Sequence, residues 1–131
     1  MILSPNVPVF RADDGSLLGQ PYLLSIVTSP AVNAGAVVEN EPQLAAEIEP
    51  VMATRISKLL KLASAKGFQH LILGAWGCGV FRNDPAMIAQ FFAEALKDGG
   101  AYEDQFASVT FAVMDGTDSE SIIEPFRAQF Q

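Results

Sequence analysis

The chain has 131 residues, a length suited to one domain, and 50% of them are hydrophobic, enough to bury a core. Its formal net charge of −7 excludes general electrostatic binding to nucleic acid or to an acidic membrane surface, so an anionic ligand has to be held locally. One cysteine leaves no intrachain disulfide, and one cysteine with one histidine makes no thiolate–imidazole metal cluster, so neither a metal nor a cofactor is expected.

The N-terminus, MILSPNVPVF, is apolar but lacks a basic region and is broken by Pro5 and Pro8, unlike a signal peptide. No apolar run reaches the ~20 residues that span a membrane, and a reducing cytoplasm fits the cysteine usage. Ile2 and Leu3, then Val7 to Phe10, are short extended pieces followed by the turn signal Asp13-Asp14-Gly15. Residues 1 to about 20 therefore read as an arm or hairpin. Tyr22 to Thr28, YLLSIVT, between Pro21 and Pro30, predicts the first buried strand.

A loop through Asn33 and Gly35 follows. In a parallel sheet it emerges on the side where ligands collect, and Asn33 offers a neutral donor and acceptor there. The alternative is that both residues are turn formers in left-handed conformations. Gln43 to Lys66 carries an apolar helical face interrupted at Pro50, which predicts a short helix before Glu49, a longer one starting near Pro50, and a stop at Gly67.

Leu71 to Pro85, LILGAWGCGVFRNDP, organises the chain. Leu71 to Leu73 is a continuous apolar run, as in a strand buried on both faces of a parallel sheet. Gly74, Gly77 and Gly79 end it. Asp84 and Pro85 make a helix start, and Ile88, Phe91, Phe92, Ala95 and Leu96 form one apolar helical face. The turn thus lies between a strand's end and a helix's N-terminus, where unpaired N–H groups and the helix dipole favour an anion. The letters match neither a Walker A loop nor the dinucleotide fingerprint.

Cys78, near a helix start, raises the idea of a nucleophilic thiol. His70 lies at the other end of the strand, out of hydrogen-bond reach, so a small loop residue is the better reading. Asp84 is explained as a cap, Trp76 as packing beneath the loop, and Arg82 as either a phosphate partner or a solvated side chain. Val109 to Met114 predicts a third buried strand. Thr117 and Glu120 form a candidate capping box for a last helix, which Pro125 either kinks or delays. The alternation of strands and helices predicts an α/β fold with a mostly parallel sheet covered by helices.

The run GAWGCGVFRNDP, with TSPAVNAGA at Thr28 to Ala36 and SPNVPVFRADDG at Ser4 to Gly15, resembles the microbial-type poly(ADP-ribose) glycohydrolases, a divergent branch of the macrodomains. The resemblance implies a single, partial macrodomain-like domain over residues 1–131, with a three-layer sandwich and helices on both faces of the sheet, in a bacterial cytoplasmic protein. It also implies a loop of Gly77, Cys78, Gly79, Val80 and Phe81 around the diphosphate of ADP-ribose, with Asn33 and Gly35 on the ribose side. The implied partner is ADP-ribose or an ADP-ribosylated protein. Family members carry an earlier half with a GGG loop and a Gln-Glu-Glu signature whose glutamate does the glycosidic chemistry. This sequence has neither, so it looks like the C-terminal part of such an enzyme, no catalytic residue is assigned, and hydrolysis by this chain alone is not expected. The same gap leaves two alternatives: a half-module completed by an N-terminal partner chain or by oligomerisation, or a remnant that binds nothing.

Overall fold

A computed structural model describes all residues, Met1 to Gln131. The chain divides into two compact units, Met1–Pro30 and Ala31–Gln131. Unit 1 is a long antiparallel hairpin, with β1 over Ile2–Arg11 and β2 over Leu17–Thr28. Its turn is closed by Gly15 N–H donating to the Ala12 carbonyl at 2.9 Å and by Ser16 N–H donating to Asp14 Oδ1 at 2.8 Å, with Gly15 at φ +84°. Those bonds from Ser16 hold the Asp14 carboxyl below its ordinary range. The register slips between Ser4 and Val7, where Pro5 has no N–H to give and Asn6 takes a left-handed φ of +55°.

The second strand corrects two expectations. The arm expected over about residues 1–20 runs on to Thr28, and Tyr22 to Thr28 is neither buried nor part of a parallel sheet. Tyr22, Leu23, Leu24 and Ile26 are exposed. A β-branched and aromatic run specifies a strand but not its partner, and the turn at Asp13–Gly15 pairs it with its sequence neighbour.

Unit 2 carries the core. Asn33 caps a short helix, α1 (Ala34–Asn40), which the loop reading of this stretch missed. A 3-10 turn over Pro42–Glu47 leads into α2 (Ile48–Ala65), with Pro50 harmless in the first turn and Gly67 ending the helix at φ +70°. Two short strands, β3 (His70–Leu73) and β4 (Ser108–Phe111), pair in parallel and are joined by α3 (Pro85–Leu96). The last helix, α4, covers Glu124–Phe130, so Pro125 delays its start and does not kink it.

Met52, Ile56 and Leu60 of α2, Ile88, Ala89 and Phe92 of α3, and Phe126 of α4 form the buried centre, with Leu71, Leu73 and Phe111 from the strands and Val113 just after β4 packed on it. Phe111 lies against three rings, with centroids 5.3 Å from Phe92, 5.3 Å from Phe126 and 4.5 Å from Phe130. The sheet is packed on one face only, because alternate residues such as Ile72 and Thr110 point outward and stay exposed. The two sheets have two strands each, so the expected three-layer, mostly parallel sheet is not formed within this chain; β3 was also expected to be buried on both faces.

Candidate ligand-binding site

The glycine-rich turn leaves β3 at Gly74 and enters α3 at Pro85. Asp84 caps that helix, its Oδ1 accepting from Ala86 N–H at 2.9 Å. Within the turn, Cys78 N–H donates to the Ala75 carbonyl at 3.0 Å, Arg82 N–H to the Gly79 carbonyl at 2.9 Å, and Asn83 N–H to the Gly77 carbonyl at 3.1 Å. The N–H groups of Gly79, Val80 and Phe81 make no hydrogen bond inside the protein. These are three successive donors on an exposed bend, with Val80 91% and Phe81 36% exposed.

Gly77 is required by geometry. Its φ is +80°, and a Cβ there falls 2.5 Å from the Ala31 Cβ and 2.6 Å from Asn83 Nδ2. Gly79 is different: a Cβ there meets nothing within 4 Å, and its backbone lies outside the left-handed region. The space over Gly79 is open to whatever the free donors hold.

The two motifs singled out in the sequence meet. Gly35 N–H donates to the Phe81 carbonyl at 3.1 Å, and Asn83 Nδ2 donates to the Val32 carbonyl at 2.7 Å and to the Gly77 carbonyl at 3.0 Å. Asn83 is 2% exposed and ties the start of α1 to the turn. The sequence reading missed it, although a polar residue directly before an Asp-Pro helix start was a visible signal. Asn33 itself is spent locally, its Oδ1 accepting from Ala36 N–H at 3.1 Å as the α1 cap, and neither it nor Gly35 adopts a left-handed φ. Arg82, at φ +56°, pairs with Glu39 at 3.0 Å on the surface.

Cys78 is buried, and burial first, the Asp84 carboxylate second, pushes its thiol up to about 12. A thiol so placed stays protonated near neutral pH and is no nucleophile. His70 is exposed and bonded to Ser108 Oγ at 2.8 Å. No group of His, Cys, Asp and Glu side chains has the arrangement of a metal site. A cavity of about 340 Å³ lined by Gln90, Glu94, Lys97, Gly100 and Gln129 lies at the C-terminal end of α3, away from the turn.

A parallel strand pair on three helices, with a braced glycine turn at the strand end, is an α/β arrangement. No family model and no curated protein sequence matches the chain. Solved structures do. The poly(ADP-ribose) glycohydrolase of Deinococcus radiodurans in complex with ADP-ribose is 43% identical with a TM-score of 0.91, over 98% of this chain and 51% of that one. The apo form of the Deinococcus enzyme gives 43% and 0.89, over 97% of this chain and 51% of that one. The poly(ADP-ribose) glycohydrolase of Thermomonospora curvata gives 44% and 0.88, over 98% of this chain and 46% of that one. Over 98% of its residues the chain is thus similar in sequence and fold to part of these bacterial poly(ADP-ribose) glycohydrolases. It spans about half the length of those relatives.

Proposed function

We propose that this chain is an ADP-ribose-binding unit in which the turn at Gly77, Cys78, Gly79, Val80 and Phe81 holds the diphosphate, with the α1 start at Asn33 and Gly35 flanking the ribose side. The observation that carries the reading is the row of unpartnered N–H groups at Gly79, Val80 and Phe81, held ahead of α3 by Asn83. Backbone donors at a helix N-terminus suit a diphosphate, and the glycine lets it approach closely. Sequence and fold are shared with an enzyme crystallised with ADP-ribose, which supports the same choice of ligand.

The glycosidic step is assigned to residues outside this sequence, which contains neither a GGG loop nor a Gln-Glu-Glu run. The unit therefore binds without cleaving unless a second polypeptide completes it. That second reading is favoured by one observation, the exposed outer face of the β3–β4 pair.

The test is a calorimetric titration of ADP-ribose into the purified chain, with AMP as control and a Gly79→Glu variant. A Cβ on Gly79 meets no other atom within 4 Å and the backbone there is ordinary, so the variant is expected to fold while setting a carboxylate beside the proposed diphosphate donors. ADP-ribose is expected to bind, AMP to bind more weakly, and the variant to lose at least about tenfold in affinity, ~1.4 kcal/mol. Equal binding to wild type and variant removes the turn from the site. Release of ADP-ribose from poly(ADP-ribose) by the lone chain overturns the assignment of catalysis elsewhere.

A further inference from the structure

We propose that Met52, a core residue of α2, is a positioning residue for the diphosphate turn: its thioether sulfur is the acceptor that fixes Val32 and, through Val32 and Asn83, the loop at Gly77. The proposal rests on the ADP-ribose reading for its ligand and on the protein's own hydrogen bonds for its geometry.

Met52 is fully buried in one cluster with Ile56, Leu60, Ile88 and Phe92, where any apolar side chain of similar volume would fill the space. Its sulfur does what a hydrocarbon cannot. Val32 N–H donates to Met52 Sδ at 3.2 Å and has no other acceptor. A thioether is a weak acceptor, but a partly buried N–H left with none costs more than the bond itself gains. The sulfur therefore decides where this peptide group sits.

Both backbone groups of Val32 are committed to side chains. Its carbonyl accepts from Asn83 Nδ2 at 2.7 Å, and the same nitrogen donates to the Gly77 carbonyl at 3.0 Å. Three successive hydrogen bonds thus lead from the core of α2 to the turn. The residues beside Val32 repeat the contact. Ala31 is buried against Gly77, where an added Cβ would fall 2.5 Å from its own, and Gly35 N–H donates to the Phe81 carbonyl at 3.1 Å. The strip 31–35 touches the turn at Gly77, Asn83 and Phe81, and Met52 pins it from the core side. Without the sulfur the strip is free to shift, and the donors at Gly79, Val80 and Phe81 lose the preorganised spacing that holds a diphosphate.

The test replaces the sulfur alone. In a chain carrying the volume-conserving changes Met87→Leu and Met114→Leu, Met52 is the one methionine besides Met1. Growth with norleucine then puts a methylene in place of Sδ at nearly the same volume, whereas selenomethionine keeps an acceptor there. Calorimetric titration of ADP-ribose and amide-proton NMR compare the methionine, norleucine and selenomethionine forms. The norleucine form is expected to bind about three- to tenfold more weakly, with exchange of the Val32 amide at least about tenfold faster and with shifted resonances for the Asn83 side-chain amide and the Gly79 to Phe81 backbone. The selenomethionine form is expected to match the methionine form. Phe126→Leu, a core loss on α4 with no hydrogen bond to the strip, is expected to lower the urea midpoint and leave the affinity unchanged. Equal affinity and equal spectra in the methionine and norleucine forms overturn the proposal. So does a selenomethionine form that behaves like the norleucine one, or a Phe126→Leu variant that weakens binding as much. A methionine form that does not bind ADP-ribose discards the ligand, and the Asn83 and turn resonances then decide the positioning.

Discussion

Asn83 holds the turn because its side chain has two donors and the turn needs two. Nδ2 serves the carbonyls of Val32 and Gly77 from a position almost wholly out of water, while its Oδ1 has no partner. Asn83→Asp keeps the shape but removes both donors and sets a carboxylate against two carbonyl oxygens, a loss of about 2–4 kcal/mol in urea unfolding. Gly77→Ala is expected to cost about 2 kcal/mol or more, because it combines a left-handed φ with a Cβ inside contact distance of Ala31 and Asn83. Gly79→Ala, with open space and an ordinary backbone, should stay within about 0.5 kcal/mol of wild type. Equal unfolding midpoints for the two alanine variants would refute this division of labour. The neighbouring thiol follows from the same packing. With Cys78 pushed up to about 12, alkylation by iodoacetamide at pH 8, followed by intact-mass spectrometry, should run about 100-fold or more slower than for a free cysteine.

At the scale of elements, the approach to α4 depends on a carboxylate that the capping-box reading overlooked. Thr117 and Glu120 have the right spacing, yet Glu120 instead meets Arg127. Asp115 organises the turn ahead of α4, whose first turn has no side-chain cap. Its Oδ1 accepts from Thr117 Oγ1 at 2.7 Å and from Thr117 N–H at 2.9 Å, and its Oδ2 from Ile122 N–H at 2.7 Å and Ile123 N–H at 3.0 Å. The Thr117 hydroxyl first, and the backbone donors with it, lower its pKa from 3.8 to about 2. A carboxyl depressed in the folded state binds protons more readily once unfolded. Its stabilisation is therefore complete above about pH 4 and is lost as pH falls from there towards 2. Asp115→Asn should lower stability at pH 7 and flatten acid unfolding between pH 4 and 2, as followed by circular dichroism. An unchanged acid limb in the variant would assign that transition to other carboxylates.

For the molecule as a whole, what could be read from the letters was what local chemistry decides. The Asp84-Pro85 start of α3, the stop at Gly67 and the meeting of the Asn33–Gly35 and Gly77–Phe81 stretches each depend on residues close in sequence or on a motif pair. The partner of Tyr22 to Thr28 and the open face at Ile72 were not legible, because periodicity marks a strand and its faces but not what covers them. Charge, by contrast, can be read at this scale from composition alone, and it makes a prediction about the site. The proposed diphosphate donors are uncharged N–H groups, the nearby Arg82 is already paired with Glu39, and the chain as a whole carries −7. An anionic ligand is thus repelled at long range and attracted only at contact. Raising ionic strength from ~0.01 M to ~0.15 M shortens the screening length from ~30 Å to ~8 Å, which weakens the repulsion and leaves the contact bonds nearly intact. ADP-ribose affinity should therefore hold or rise, by up to about threefold, over that range of sodium chloride in calorimetry. A site built on lysine or arginine loses affinity over the same range. A steep fall with salt would show that cations, and not the backbone of the turn, hold the diphosphate.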